Sequence, residues 1–418
     1  MAITNNTSQV GAFNATDRRI LFLACIIGFV AGYAGSQMPH TLPFARSALG
    51  LTEGQMSGIF AGVRAVSLLG VLFAIPADTH GRRKPILAAY TLMLLASLGT
   101  ALIPSVAAYA ATQALVRVAV VALAALMLVL VAEELQPGVR ALGIGIFGLA
   151  GSLGVGTGLV LLPLAESNEN SWRVLFGLAA LGLLAVPLLT RFLPESRAFV
   201  PAPRISFIQA LRMGLSKHFW PLALVSFFIA AFSSPAFDFV LERLINDLEW
   251  DTGAARFLLI VFSGLGAVGL LVGGRAADTY GRKPTVITAL VLGLAGGVGF
   301  YLLDSGWFLA ASIFIATLGA TMLTPSLGAQ RSELFPTRVR ATSSAWITNS
   351  AILGSIFGFT VGAILIDRIG LPLTVTLLGS GLVISMLLEL RLPETRGMDL
   401  VRAPKARPRT TRQAPPAG

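Results

Sequence analysis

Long apolar runs alternate with short polar breaks along almost the whole chain. A helix of about 20 apolar residues spans a bilayer. The pattern predicts twelve such spans: about 20–42, 55–77, 85–104, 107–132, 141–164 and 172–193, then about 219–241, 254–277, 285–303, 307–331, 343–366 and 371–390. The longest break, 194–218, is basic, carries Pro194, Pro201 and Pro203, and divides the spans six and six. The expected fold is an all-α membrane protein whose twelve transmembrane helices form two pseudo-symmetric six-helix bundles. Its expected divisions are a tail at 1–19, bundles at 20–193 and 219–390, the linker 194–218, and a basic tail at 391–418. The last stretch, rich in Arg, Pro and Thr, reads as disordered.

Composition agrees with this pattern. Hydrophobic residues make up 55% of the chain, charged residues 12%, and the mean hydropathy is +0.78. A soluble chain of this length would need far more charge to cover its surface. The net charge of +11 could suggest a nucleic-acid partner, but the cations occupy alternate breaks. That placement fixes topology instead. With the N-terminus in the cytoplasm, 24 of the 31 Lys and Arg residues fall on the cytoplasmic side. Both termini are therefore expected in the cytoplasm of a cell whose inner membrane holds the chain. No nucleic acid is expected. Cys25 is the single cysteine, and His40, His80 and His218 share no ligand spacing, so neither a disulfide within the chain nor a metal site is expected. The first apolar run is too long for the apolar stretch of a cleaved signal peptide.

The two halves repeat. Ala77-Asp78-Thr79-His80-Gly81-Arg82-Arg83-Lys84-Pro85 follows span 2, and Ala277-Asp278-Thr279-Tyr280-Gly281-Arg282-Lys283-Pro284 follows span 8, so that Asp, Gly and Arg coincide at an offset of 200. Glu133 and Arg140 after span 4 match Glu333 and Arg340 after span 10 at the same offset. Leu193-Pro194-Glu195-Ser196-Arg197 after span 6 recurs as Leu392-Pro393-Glu394-Thr395-Arg396 after span 12. Chance likeness of apolar helices would not reproduce charged loop motifs in order. Parallel repeats of this kind place a binding site between the halves, near the bilayer midplane.

Residues 18–400 resemble a major facilitator superfamily transporter. Gly274-x-x-x-Asp278-x-x-Gly281-Arg282-Lys283 is similar to that superfamily's loop signature. The first copy departs from it with Ala74 at the first Gly, and both copies have Thr79 or Thr279 where a basic residue is common. The Pro-Glu-Ser-Arg, Pro-Glu-Thr-Arg-Gly and Glu333-Leu-Phe-Pro-Thr-Arg-Val-Arg-Ala loops resemble the sugar porters, metabolite–proton symporters and organic-ion transporters. The resemblance implies that Asp78 and Asp278 pair with Arg140 and Arg340 and dock the halves when the cytoplasmic side is closed. Gly81 and Gly281 permit the tight turns. Arg82, Arg282, Glu133, Glu333, Glu195 and Glu394 would complete a charge network that gates access. A plain topology signal would need cations but not matched acids.

Arg64 and Arg117 lie inside spans 2 and 4. Arginine at a helix centre costs about 2.5–3.5 kcal/mol on insertion scales. Arg64 stands 14 residues before Asp78 and Arg117 stands 16 before Glu133, so the two share a similar height, and no acid lies within spans 1 to 6 to neutralise them. The functional reading is a cationic cavity for an anion. In the plain alternative, one guanidinium rests on backbone carbonyls and the other snorkels outward. Tyr33 and Gln37 share a face of span 1, and Gln113, Ser234, Asp238 and Asn349 add polar groups within spans 4, 7 and 11. For each of these, helix packing competes with ligand contact. Span 1 lacks a carboxylate, which leaves Asp238 as the candidate for proton coupling. The Gly264-Leu-Gly266-Ala-Val-Gly269 run fits a nucleotide fingerprint by spacing, but no strand precedes it.

These features predict a transporter of a small organic anion, a carboxylate, working by rocker-switch alternating access, either secondary active or facilitative. A neutral metabolite such as a sugar, or a lipophilic compound for export, is the alternative, and it leaves the arginine pair without a role. No constellation for an enzyme is present. No cofactor is expected. The expected partners are the substrate, the bilayer and, through Asp238, protons, and a monomer is expected.

Overall fold

The computed structural model describes residues 13–73, 76–77, 81–102, 105–136, 140–195, 218–335 and 337–396. Asp78, most of the 194–218 linker and most of the basic tail fall outside the described residues, as do the side chains of Arg140 and Arg340.

Helices account for nearly all of the described chain, and eleven of them are long and apolar enough to cross a membrane. In the first half these are Ala15–His40 (span 1), Arg83–Leu102 (span 3), Val106–Glu134 (span 4), Arg140–Val160 (span 5) and Trp172–Phe192 (span 6). The second half has Phe219–Asp238 (span 7), Thr252–Tyr280 (span 8), Arg282–Leu302 (span 9), Gly306–Leu334 (span 10), Thr337–Ile369 (span 11) and Leu371–Leu390 (span 12). Span 2 completes the twelve as the α-helix Glu53–Ser67, which tightens into a 3-10 helix at Leu68–Phe73. Span 8 is irregular as well, with a π-helical turn at Leu259–Ser263.

Polar residues at the breaks start the helices. Asn14 and Asp17 form a reciprocal capping box at span 1, as do Thr52 and Gln55 at span 2. Each box satisfies two helix-end N–H groups that would otherwise lack partners. Arg140 and Thr337–Arg340 belong to the first turns of spans 5 and 11, not to loops as the hydropathy pattern suggested.

Small residues set the packing within each half. Span 1 meets span 5 at Gly32 and Gly151, where an added Cβ on Gly32 would lie 2.1 Å from the Gly151 carbonyl oxygen. Span 11 meets span 7 in the same way, at Gly354 against Phe227 and Gly358 against Ala231. Such glycines let helix backbones approach closely in a bilayer. Between the halves, the main helix contact is span 2 against span 11.

Candidate functional site

The matched loops build one clamp in each half, on what we call the motif face. Arg82 donates to both Glu133 oxygens at 2.6 and 2.7 Å, joining the start of span 3 to the end of span 4. Glu195 accepts from the backbone N–H groups of Arg82 and Arg83 at 2.5 and 3.3 Å, and Arg83 also donates to the Thr190 carbonyl. The second half repeats the pattern. Arg282 donates to Glu333 at 2.9 Å, and Glu394 accepts from the N–H groups of Arg282 and Lys283 at 2.8 and 3.1 Å. Thr395 donates its hydroxyl to Glu333 at 2.6 Å.

Gly81 and Gly281 have φ of +99° and +116°, and a Cβ on either would meet the clamping carboxylate at 2.6 Å. Both the turn and the close approach therefore require glycine. Burial opposes ionisation of Glu394, but the backbone donors of Arg282, Arg396, Lys283 and Thr395 outweigh it and hold the carboxyl below its ordinary range. These contacts lie within each half; the pairing between halves that the resemblance implies applies when the cytoplasmic side is closed, and Asp78 and the side chains of Arg140 and Arg340 lie outside the described residues. Asp278 likewise turns to Arg282 of its own half at 2.6 Å.

Apart from one ion pair in the interior, the polar contacts that join the halves among the described residues gather on the opposite face. Arg46 donates to the buried Glu242 at 2.6 Å. Asp367 accepts from the Thr52 hydroxyl at 2.6 Å and from the Gly54 N–H at 3.0 Å. Ser57 donates to the Phe359 carbonyl at 2.7 Å. One turn further in, Phe60 stacks on Phe359 at 5.0 Å and tilts against Phe239 at 6.0 Å. This aromatic layer closes the interior toward the opposite face. Toward the motif face, Leu69 and Leu72 of the first half and Leu353 and Phe357 of the second are exposed.

A cavity of about 390 Å³ lies directly inside the aromatic layer, between the halves. Its walls include Arg64, Arg117, Gln113, His40 and Asp238. Arg64 donates to Asp238 at 2.8 Å, with side chains 18% and 16% exposed, and its guanidinium lies 5.7 Å from the centre of the Phe359 ring. Sequence reasoning found no acid for Arg64 because the acid comes from the other half. Arg117 is half-buried and has no hydrogen-bond or ion-pair partner among the described residues. A second cavity of about 480 Å³ adjoins the first and is lined by the second half alone. Phe237, Val240, Leu259 and Ser263 border both. Its walls are mainly apolar, with Phe232, Phe300 and Tyr301 among them. Volumes in this range suit small-molecule ligands.

Of the eight residues predicted to bind substrate, Arg64, Arg117, Gln113 and Asp238 come together at the first cavity. Gln113 is nearly engaged already, donating to Thr100 at 2.8 Å. Tyr33 and Gln37 do share a helix face, but that face turns into the first bundle. Tyr33 donates to the Leu175 carbonyl at 2.9 Å, and Gln37 donates to the Tyr33 carbonyl at 2.9 Å. Ser234 is half-buried and Asn349 exposed, and neither lines these cavities. His40, which the sequence reading did not place at a site, also lines the first cavity. Nothing in its spacing pointed there.

A model of the Major Facilitator Superfamily matches residues 20–242 and 219–414. The chain belongs to this superfamily. Membership makes it a multi-pass membrane transporter of small molecules. Among its relatives, the gallate transporter of Pseudomonas putida is 27% identical over 398 residues, covering 86% of this chain and 88% of the relative. The probable 4-methylmuconolactone transporter of Cupriavidus pinatubonensis is 27% identical over 267 residues, 60% of each chain. A bacterial homolog to the human lysosomal transporter Spinster, inward-facing and occupied, shares the fold at a TM-score of 0.74 and 15% identity, over 91% of this chain and 97% of that one. In this major facilitator, the clamps repeat between the two halves and the cavity walls do not.

Proposed function

We propose that this transporter carries a small organic carboxylate with an apolar, ring-like body across the bacterial inner membrane. The observation that carries the proposal is the unpartnered Arg117 guanidinium in a cavity continuous with an apolar, aromatic chamber. A guanidinium fork binds a carboxylate through two charge-assisted hydrogen bonds. The chamber beside it offers aromatic rings to the rest of the molecule. Gallate, named for a relative, is an aromatic carboxylate. A purely lipophilic cargo would suit the chamber but give Arg117 nothing to hold.

The motif face is the cytoplasmic one, because most Lys and Arg residues lie on its side. The conformation is then closed to the outside and open inward. Transport proceeds by rocking the two bundles, each kept rigid by its own clamp, with the polar contacts of the opposite face broken on outward opening. Protons enter through Asp238. Its protonation would break the charge-assisted bond to Arg64 and free that guanidinium for substrate. The protein works as a monomer, since the cavity needs only the two halves of one chain.

Uptake into proteoliposomes tests this reading with a benzoate-type acid and the corresponding neutral amide. The acid should be carried and the amide rejected, and Arg117→Ala should remove the preference. Equal uptake of both by the unaltered protein would overturn the carboxylate reading.

A further inference from the structure

Arg331 read from sequence as one of the cytoplasmic topology charges. Span 10, however, continues as helix to Leu334 and carries Arg331 inward. There its Nη2 donates to the Ser226 hydroxyl of span 7 at 2.7 Å. The Nε of the same guanidinium is buried without a hydrogen-bond partner, and Arg331 forms no ion pair among the described residues. The side chain lines the apolar chamber of the second half, together with Leu327 and Gly328 one turn back. A Cβ on Gly328 would meet nothing within 4 Å, so space is open beside the guanidinium.

The repeat sets this arginine apart from the clamps. At the offset of 200 that relates the clamps, Arg331 corresponds to Val131. The same offset gives its height. Glu133 and Glu333 mark equivalent levels, Arg117 stands 16 residues before the first, and Arg331 stands two before the second. At a rise of about 1.5 Å per residue, Arg331 lies about 21 Å nearer the motif face than Arg117. One single-ring acid cannot touch both.

We propose that Arg331 and Ser226 form a second anion station at the motif-face end of the apolar chamber. It takes the substrate carboxylate as the molecule passes between the Arg117 cavity and the water of that face. The unsatisfied Nε and a neighbouring Nη supply the two donors, and the chamber wall receives the ring. This inference rests on the carboxylate reading given above.

The test is sided transport of a benzoate-type acid in oriented proteoliposomes, with the acid presented at each face in turn. Arg331→Gln should raise the half-saturating concentration about tenfold at the motif face, the loss expected for about one charge-assisted hydrogen bond. The value at the opposite face should stay within about twofold. Arg331→Lys, which keeps the charge but not the fork, should recover most of the loss, and Ser226→Ala should reproduce a small part of it at the motif face alone. Calorimetric binding adds a second arm that does not depend on turnover. Residual weak acid binding in Arg117→Ala should disappear in the Arg117→Ala, Arg331→Gln double variant. An equal change at both faces, or no change at the motif face in Arg331→Gln, would overturn the station. Failure of the carboxylate reading looks different, because the unaltered protein would then carry the neutral amide as fast as the acid.

Discussion

The two halves share their loops and differ in their interiors. Arg82, Glu133 and Glu195 are matched by Arg282, Glu333 and Glu394 in partners and in geometry. Arg64 and Arg117, by contrast, correspond at the same offset to Gly264 and Thr317. The first half gives the cavity between the halves its cations, Arg64 and Arg117. The second gives it an apolar chamber and the acid that holds Arg64. On the proposed reading, what repeats keeps each bundle rigid as it moves, and what does not repeat serves a single asymmetric ligand, since a molecule with a charged head and an apolar body cannot use two identical walls.

Arg117→Ala should break this division most strongly. It removes about two charge-assisted hydrogen bonds, worth about 3 kcal/mol together, so acid binding should weaken about 100-fold. Arg117→Lys should recover part of that loss, because the charge remains while the fork is gone. Titration calorimetry against the same acid reads both. The converse cut is Phe237→Ala, which borders both cavities. Loss of one aromatic contact of about 1 kcal/mol should cost about fivefold in binding, and the preference for acid over amide should be unchanged. A loss of that preference in Phe237→Ala would mean that head and body are not recognised separately.

The shared machinery gives smaller, paired effects. Glu195→Gln and Glu394→Gln each replace, with a neutral amide, a carboxylate that accepts from backbone N–H groups at the start of span 3 or span 9. Both should lower the apparent melting temperature by a similar few degrees and leave acid binding intact. Unequal shifts would show that the two clamps are not equivalent. The smallest effect is in pH. Glu394 is held below its ordinary range, so its contribution is present above the usual carboxylate pKa and is lost only as pH falls through the lowered value. An acid-side fall in melting temperature that Glu394→Gln removes would reveal it.

The repeat and the span pattern were legible because hydropathy, loop charge and glycine placement are local properties. Gly81 and Gly281 could be read as obligatory turns for the same reason. The partners were not legible. Arg64 seemed uncompensated because Asp238 lies 174 residues away in the other half. Tyr33 and Gln37 were correctly put on one helix face, but periodicity cannot say whether a polar face looks into a bundle or between bundles. Arg331 was counted among the cytoplasmic charges because a cation ends the apolar run of span 10 in sequence, whereas the helix runs on for three more residues. In each case the missing information was which helix stands opposite, and that is set by packing across the whole fold.

The most direct test of the account is a structure with a ring-halogenated benzoate bound, located by the halogen's anomalous scattering. The carboxylate should lie within hydrogen-bond distance of Arg117, with the halogen in the second-half chamber near Phe232, Phe300 and Tyr301. A halogen on the first-half side of the cavity, or a carboxylate bound with Arg117 still unpartnered, would contradict the assignment of head to one half and body to the other.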